Sequence, residues 1–109
     1  MPDVPPIRFR WAEIELDKVT EMVSRKEIQC DGESIVQTYL KKGAQVPMHS
    51  HAGAQWVYVL QGTLRVTSAG ESVVASEGDV VRIAGGSDHQ AEALEDTFVL
   101  DVRRLPSEQ

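Results

Sequence analysis

The chain has 109 residues, 41% of them hydrophobic and 26% charged, ordinary values for one globular domain large enough to bury its own core. Its 11 Lys and Arg against 17 Asp and Glu leave a net charge of −6, which repels phosphate backbones and argues against nucleic acid as a partner. No apolar run reaches membrane-spanning length, so no membrane association is expected, and the opening MPDVPPIRFRW lacks the continuous apolar core of a signal peptide.

In chain order, the Pro-rich first six residues and the closing PSEQ are expected to be frayed termini. The segment WAEIELDKVTEM, residues 11–22, reads either as a short helical turn or as an irregular lead-in strand. The single cysteine, Cys30, leaves no internal disulfide and fits a reducing compartment, so a cytoplasmic location is expected. Beside Asp31 and Glu33, nothing activates its thiol. From Gly32 onward, glycines punctuate short runs rich in valine, isoleucine and threonine: SIVQTYL, QWVYVL, TLRVTS, SVVAS, DVVRIA and TFVLDV. That spacing predicts an all-β sandwich or barrel, one domain spanning residues 1–109. Hairpin turns are predicted at Gln61-Gly62, in SAGES and in SEGD.

The three histidines are the chemical signal. Residues two apart on an extended strand share a face. His49 and His51 therefore project together, and Gln55 keeps their parity if the strand continues past Gly53. His89 follows the turn AGGSD. Three imidazoles and an amide oxygen make a four-ligand set for one divalent ion such as Ni, Fe, Mn, Co or Zn. The bland alternative is a surface His-x-His pair with His89 solvated in a loop.

Spacing decides between them. Gly43, five residues, His49, Ser50, His51, three residues, Gln55, six residues and Gly62 follow the form G-x5-H-x-H-x3,4-E-x6-G, with Gln55 in place of the acid. Gly78, DVVRI, Ala84, Gly85, Gly86, Ser87, Asp88, His89, QAE and Ala93 follow G-x5-P-x-G-x2-H-x3-N in length, with alanines for the proline and the asparagine. Two motifs at 43–62 and 78–93 with this internal spacing resemble those of the cupin family. The resemblance implies a small double-stranded β-helix, a jelly-roll barrel, with a metal in its mouth held by His49, His51, Gln55 and His89.

Gln55 alters the chemistry. An amide oxygen binds a cation without neutralising it and has no useful basicity. The ion is left a better Lewis acid, while the base that cupin dioxygenases of the quercetinase type draw from their glutamate is missing, which disfavours an oxygenase. Proton transfer needs another group. In TFVLDVRRL, Thr97, Val99, Asp101 and Arg103 share one face and Phe98, Leu100 and Val102 the other. With the first set inward, Asp101 would move protons and Arg103 would hold an anionic small molecule; with the second inward, both are solvated. The pattern alone leaves this open.

The chain also resembles, more narrowly, the KdgF-type pectin-degradation cupins, through Lys41, Lys42, Gly43, Ala44, His49, His51, Gln55, Tyr58, Val59 and Gly62, and through Ala93, Leu94, Glu95, Leu100, Asp101 and Val102. That group is implicated in opening and tautomerising 4,5-unsaturated uronates, and its functional aspartate falls at Asp101. A phenylalanine expected two residues later is Arg103, and a later arginine is Ser107. The resemblance implies Asp101 as the catalytic residue; Arg103, which departs from the group, is expected to supply the charge for an anionic substrate from a different position, with Tyr58 as a second substrate contact. Strand parity, however, sets Trp56, Tyr58 and Leu60 outside when Gln55 points in. This outer row is covered either by the N-terminal segment around Phe9 and Trp11 or by a second copy in a homodimer.

The leading expectation is a metal-dependent cupin enzyme acting on a small sugar acid by Lewis-acid-assisted proton transfer. A non-catalytic metal- or ligand-binding cupin is the alternative, and a dioxygenase the third reading.

Overall fold

The computed structural model describes residues 3–106. Ser107 and most of the expected C-terminal fray lie outside the described residues. The chain forms β1 (Asp17–Lys18), β2 (Val23–Cys30), β3 (Glu33–Leu40), β4 (Gln45–His49), β5 (Gln55–Gln61), β6 (Thr63–Ser68), β7 (Glu71–Ser76), β8 (Val80–Ile83), β9 (His89–Ala93) and β10 (Thr97–Arg104). They assemble into a six-stranded sheet, β1-β2-β3-β10-β5-β8, and a four-stranded sheet, β4-β9-β6-β7. All pairings are antiparallel. This is the expected all-β jelly roll. Segment 11–22 divides between its two readings: a 3-10 turn at Trp11–Glu13, then the two-residue β1.

The sheets close on an aliphatic interior. In β5 the alternation is clean, with Val57 and Val59 buried and Trp56 and Tyr58 exposed. Leu40, Leu64, Val66, Ile83 and Val99 complete the core from β3, β6, β8 and β10. Branched side chains suit these positions because they pack against cross-strand neighbours on a pleated face.

Two of the three predicted hairpins are corners instead. β5 and β6 belong to different sheets, as do β7 and β8, so the turns at Gly62 and Gly78 carry the chain across the barrel. Gly62 is required there twice over: its φ is +89°, and a Cβ would collide with the carbonyl of Asp96 and with Thr97. SAGES does form the β6–β7 hairpin, with Ala69 and Gly70 both at positive φ. Another hairpin, β2–β3, closes through Asp31 (φ 51°) and Gly32 (φ 78°), the Asp-Gly chemistry of a type I′ turn.

Outside, the six-stranded sheet stays apolar. Trp56, Tyr58, Val80 and Val102 are all exposed on neighbouring strands, and Tyr39 stacks on Phe98 at 4.3 Å. Arg82 lies over the Trp56 ring, 5.7 Å from its centroid. The N-terminal segment leaves this row open, since Phe9 is itself exposed and Trp11 is tied elsewhere, its carbonyl accepting from Lys26 Nζ at 2.9 Å.

Candidate metal centre

His49 ends β4 and His89 opens β9, and the two pair across the four-stranded sheet. His51 lies beyond β4 in a bend, and Gln55 opens β5 in the other sheet. Strand parity therefore does not bring Gln55 to the histidines, contrary to expectation; a turn of the chain around the barrel corner does. Close backbone contact holds that turn. Gly86 N–H donates to His51 O at 2.8 Å, and a Cβ at Gly53 or Gly85 would strike the carbonyl of Arg104 or Ala52 respectively. These glycines let two ligand-bearing loops touch.

Each imidazole is oriented by a carbonyl two residues away. His49 Nδ1 meets Pro47 O at 2.8 Å, His51 Nδ1 meets Gly53 O at 3.1 Å, and His89 Nδ1 meets Ser87 O at 3.0 Å. A carbonyl only accepts, so Nδ1 of His49 and of His89 carries the proton and their Nε2 atoms present lone pairs, whereas His51 meets an acceptor oxygen at each ring nitrogen. One ring nitrogen from each histidine lies within 4.8 Å of the others. His89 is buried rather than solvated in a loop, and its Nε2 has no hydrogen-bond partner. An orphaned buried acceptor is rare, and a cation at the point of convergence satisfies it. Burial foremost, with His49 and His51 beside it, pushes the His89 pKa down, which keeps the ring available as a ligand at lower pH.

Gln55 joins the centre through both ends of its amide. Its Nε2 donates to Asp101 Oδ1 at 2.5 Å, and its Oε1 faces His51 Nε2 at 2.9 Å. Without an ion His51 Nε2 can donate to Gln55 Oε1, and a cation taking the place of that proton would be held by both atoms. The residues present fit a divalent ion.

Asp101 and Arg103 face inward with Val99, settling the question the pattern of β10 left open; all three line a cavity of about 250 Å³. Thr38 Oγ1 donates to Asp101 Oδ2 at 3.3 Å. Desolvation outweighs these hydrogen bonds and raises the Asp101 pKa. Tyr58 corrects an expectation: it stands on the outer face of β5, exposed, and takes no part in the cavity wall.

Three contributors were not singled out beforehand: Arg25 and Glu27, because β2 was not recognised as a strand, and Thr38 on β3, whose cavity face shows only once β2 and β10 flank it. Arg25 and Thr38 line the cavity, and Glu27 lies on the inner face between Arg25 and Arg103 in register. Ser34 Oγ and Gln29 Nε2 both donate to Glu27 Oε2, at 2.7 Å and 2.9 Å, and these bonds, followed by Arg25 and Arg103, lower the Glu27 pKa. The Asp31-Gly32 turn was the available signal, since a hairpin there sets Arg25 opposite Thr38.

The metal assignment has a direct check. Purified protein should carry about one divalent ion per chain, with nitrogen ligands at roughly 2.0–2.2 Å for a zinc-type ion. Chelation should lower the melting temperature and leave the β circular-dichroism signal intact, because the aliphatic core packs without help from the ion. Undiminished metal content in His51→Ala would refute the ligand set.

The model of the cupin domain family matches residues 36–102. Among solved structures, the chain is similar to KdgF from Halomonas sp., with 27% identity, TM-score 0.84, and coverage of 95% of this chain and 97% of that one. It is similar to Bacillus subtilis oxalate decarboxylase at 25% identity and TM-score 0.83, where all of this chain covers 32% of the other. An RmlC-like cupin from Shewanella frigidimarina shares the fold at 22% identity and TM-score 0.80, with 89% and 88% covered. Nothing among the curated proteins matches. With both motifs inside the matched segment and three histidines converging in the barrel, the chain belongs to the cupin family and is KdgF-like.

Proposed function

We propose that this cupin is a metal-dependent enzyme acting on a small sugar acid of the unsaturated-uronate kind, by proton transfer at a carbon next to a carbonyl. The observation that carries the reading is Asp101, a carboxyl deep in the barrel wall with a raised pKa, one hydrogen bond from a metal ligand. A divalent ion, held by His49, His51, Gln55 and His89, supplies Lewis acidity to a substrate oxygen when bound. Asp101 takes the proton from carbon and returns it, with Thr38 and Gln55 fixing its two oxygens. Arg103, beside Gln55 in register, holds the substrate carboxylate. Val57, Val99, Leu64 and Ile83 keep bulk water from the reacting centre. A cavity of about 250 Å³, under the usual range of roughly 300–1,000 Å³, favours one sugar unit over an oligomer. Likeness to KdgF supports the substrate class.

The test is incubation of metal-loaded protein with 4,5-unsaturated uronates and a panel of hydroxy acids in deuterated water, followed by NMR. Deuterium incorporation and a keto product are expected. Binding without exchange would make the protein a ligand-binding cupin, and oxygen consumption would make it a dioxygenase.

The working unit of this reading is a homodimer in the cytoplasm, supported by the exposed apolar outer row and by the lone, exposed Cys30. Trp56→Glu should shift a dimer toward monomer in sedimentation, since it places a charge in an apolar contact. A wild type that is monomeric at micromolar concentration would end the dimer proposal.

A further inference from the structure

The surface and the cavity have opposite electrostatic character. The chain carries a net charge of −6, yet the ionisable side chains lining the cavity are Arg25, His49, His51, His89, Arg103 and one carboxyl, Asp101. A neutral ligand set leaves the charge of a bound dication uncompensated as well. Asp101 and Glu27, the carboxyls on the inner face, offset the two arginines and leave the charge of a bound dication unbalanced.

The two arginines are also rooted far apart in the sheet. Arg25 pairs with Thr38, Thr38 with Val99, and Arg103 lies further along β10 on the same face. At about 4.8 Å per strand and 3.3 Å per residue, their Cα atoms are roughly 16 Å apart. Arg103 stands beside Gln55 at the metal end. Arg25 stands near the edge of the sheet on β2, half-exposed, with its Nε 3.6 Å from Asp17 Oδ2. That exposed pair is weak, so a ligand anion can displace it. Glu27 is held by Ser34 and Gln29, with no ion pair to either arginine within 4.0 Å among the described residues.

We propose that Arg25 and Arg103 form a two-point clamp that selects ligands carrying two separated anionic groups, one for each guanidinium, over monoanions. The inference rests on reading the cavity as a site for an anionic substrate and shifts its class away from a plain uronate, which has one carboxylate: the preferred compound is a sugar acid or hydroxy acid with a second carboxylate or a phosphate at its far end. Arg103 anchors the end nearest the metal, and Arg25 reads the distal charge.

Calorimetric titration of zinc-loaded protein with malonate, succinate, glutarate, adipate and, as the monoanion, butyrate tests this without turnover. The best dicarboxylate should bind roughly 10- to 100-fold more tightly than butyrate, the value of one added charge-assisted hydrogen-bonded contact. In Arg25→Gln that preference should collapse to within about threefold, and in Arg103→Gln both ligands should weaken. Lys26→Gln removes the same charge from the opposite face of β2 and should keep the preference. No preference at any chain length in wild type, an intact preference in Arg25→Gln, or an equal loss in Lys26→Gln would each overturn the clamp. Failure here with uronate turnover intact would leave the enzymatic reading standing, whereas dicarboxylate selectivity without turnover would remove that reading and keep the clamp.

Discussion

Asp101→Asn is expected to lower turnover by roughly 10²–10⁴-fold, the usual contribution of general acid–base catalysis, with metal content unchanged. Asparagine fits the site without rearrangement: its oxygen accepts from Gln55 Nε2, and its amide nitrogen donates to the Thr38 hydroxyl, replacing the two contacts of the carboxylate. Only basicity is lost. The folded-state pKa of Asp101 is raised, chiefly by burial. Its ionisation therefore costs the fold nothing below the ordinary carboxylate range, and the cost grows as pH rises toward the raised folded value. At neutral pH the neutral amide removes that cost, so the melting temperature of Asp101→Asn should equal or exceed that of wild type. Wild-type turnover should climb with pH through the same raised value as the base form appears. If Asp101 instead serves only to orient Gln55, the substitution should weaken metal binding by about 10–100-fold. Metal affinity and turnover measured on one preparation separate the two roles. Unaltered values for both would remove Asp101 from the mechanism.

The centre was legible in the sequence because ligand spacing is a covalent property. The intervals from Gly43 to Gly62 and from Gly78 to His89 reflect how many residues the loops need to turn the barrel corner. The glycines that let those loops touch stand inside the same intervals. What pattern could not decide was the facing of β10. Its polar face, with Thr97, Asp101 and Arg103, turns into the barrel, while Phe98, Leu100 and Val102 belong to an apolar outer sheet surface. Periodicity identifies the inward face only when that face is the apolar one. β2 failed for the same reason: its residues VSRKEIQC are mostly half-exposed on both sides, and inward-facing Arg25 and Glu27 gave it a polar face where a buried strand shows an apolar one. Residue-by-residue transfer misled at Tyr58, where shared identity reflected the outside of the barrel rather than its site.

Gln55→Glu should retain the metal, more tightly than wild type, and lose most activity. A carboxylate is the stronger ligand for a dication and cancels one unit of its charge, so Lewis acidity falls. The geometry adds a second and larger effect. Gln55 Nε2 is a donor 2.5 Å from Asp101 Oδ1, and glutamate sets an oxygen in its place. Two carboxylates in hydrogen-bond contact do not both ionise, and they retain one proton between them. With the glutamate bound to a cation, that proton stays on Asp101, whose pKa is already raised. The proton carrier is then locked in its acid form across the neutral range. Loss of turnover should approach that of Asp101→Asn, about 10²-fold or more, and partial recovery at alkaline pH should distinguish the two variants, since asparagine has no proton to lose. The measurement is a pH–rate profile of metal-loaded Gln55→Glu beside its metal affinity. Turnover at wild-type level near neutral pH would show that the amide contributes neither a donor to Asp101 nor a neutral ligand to the ion, and would place the proton transfer elsewhere in the cavity.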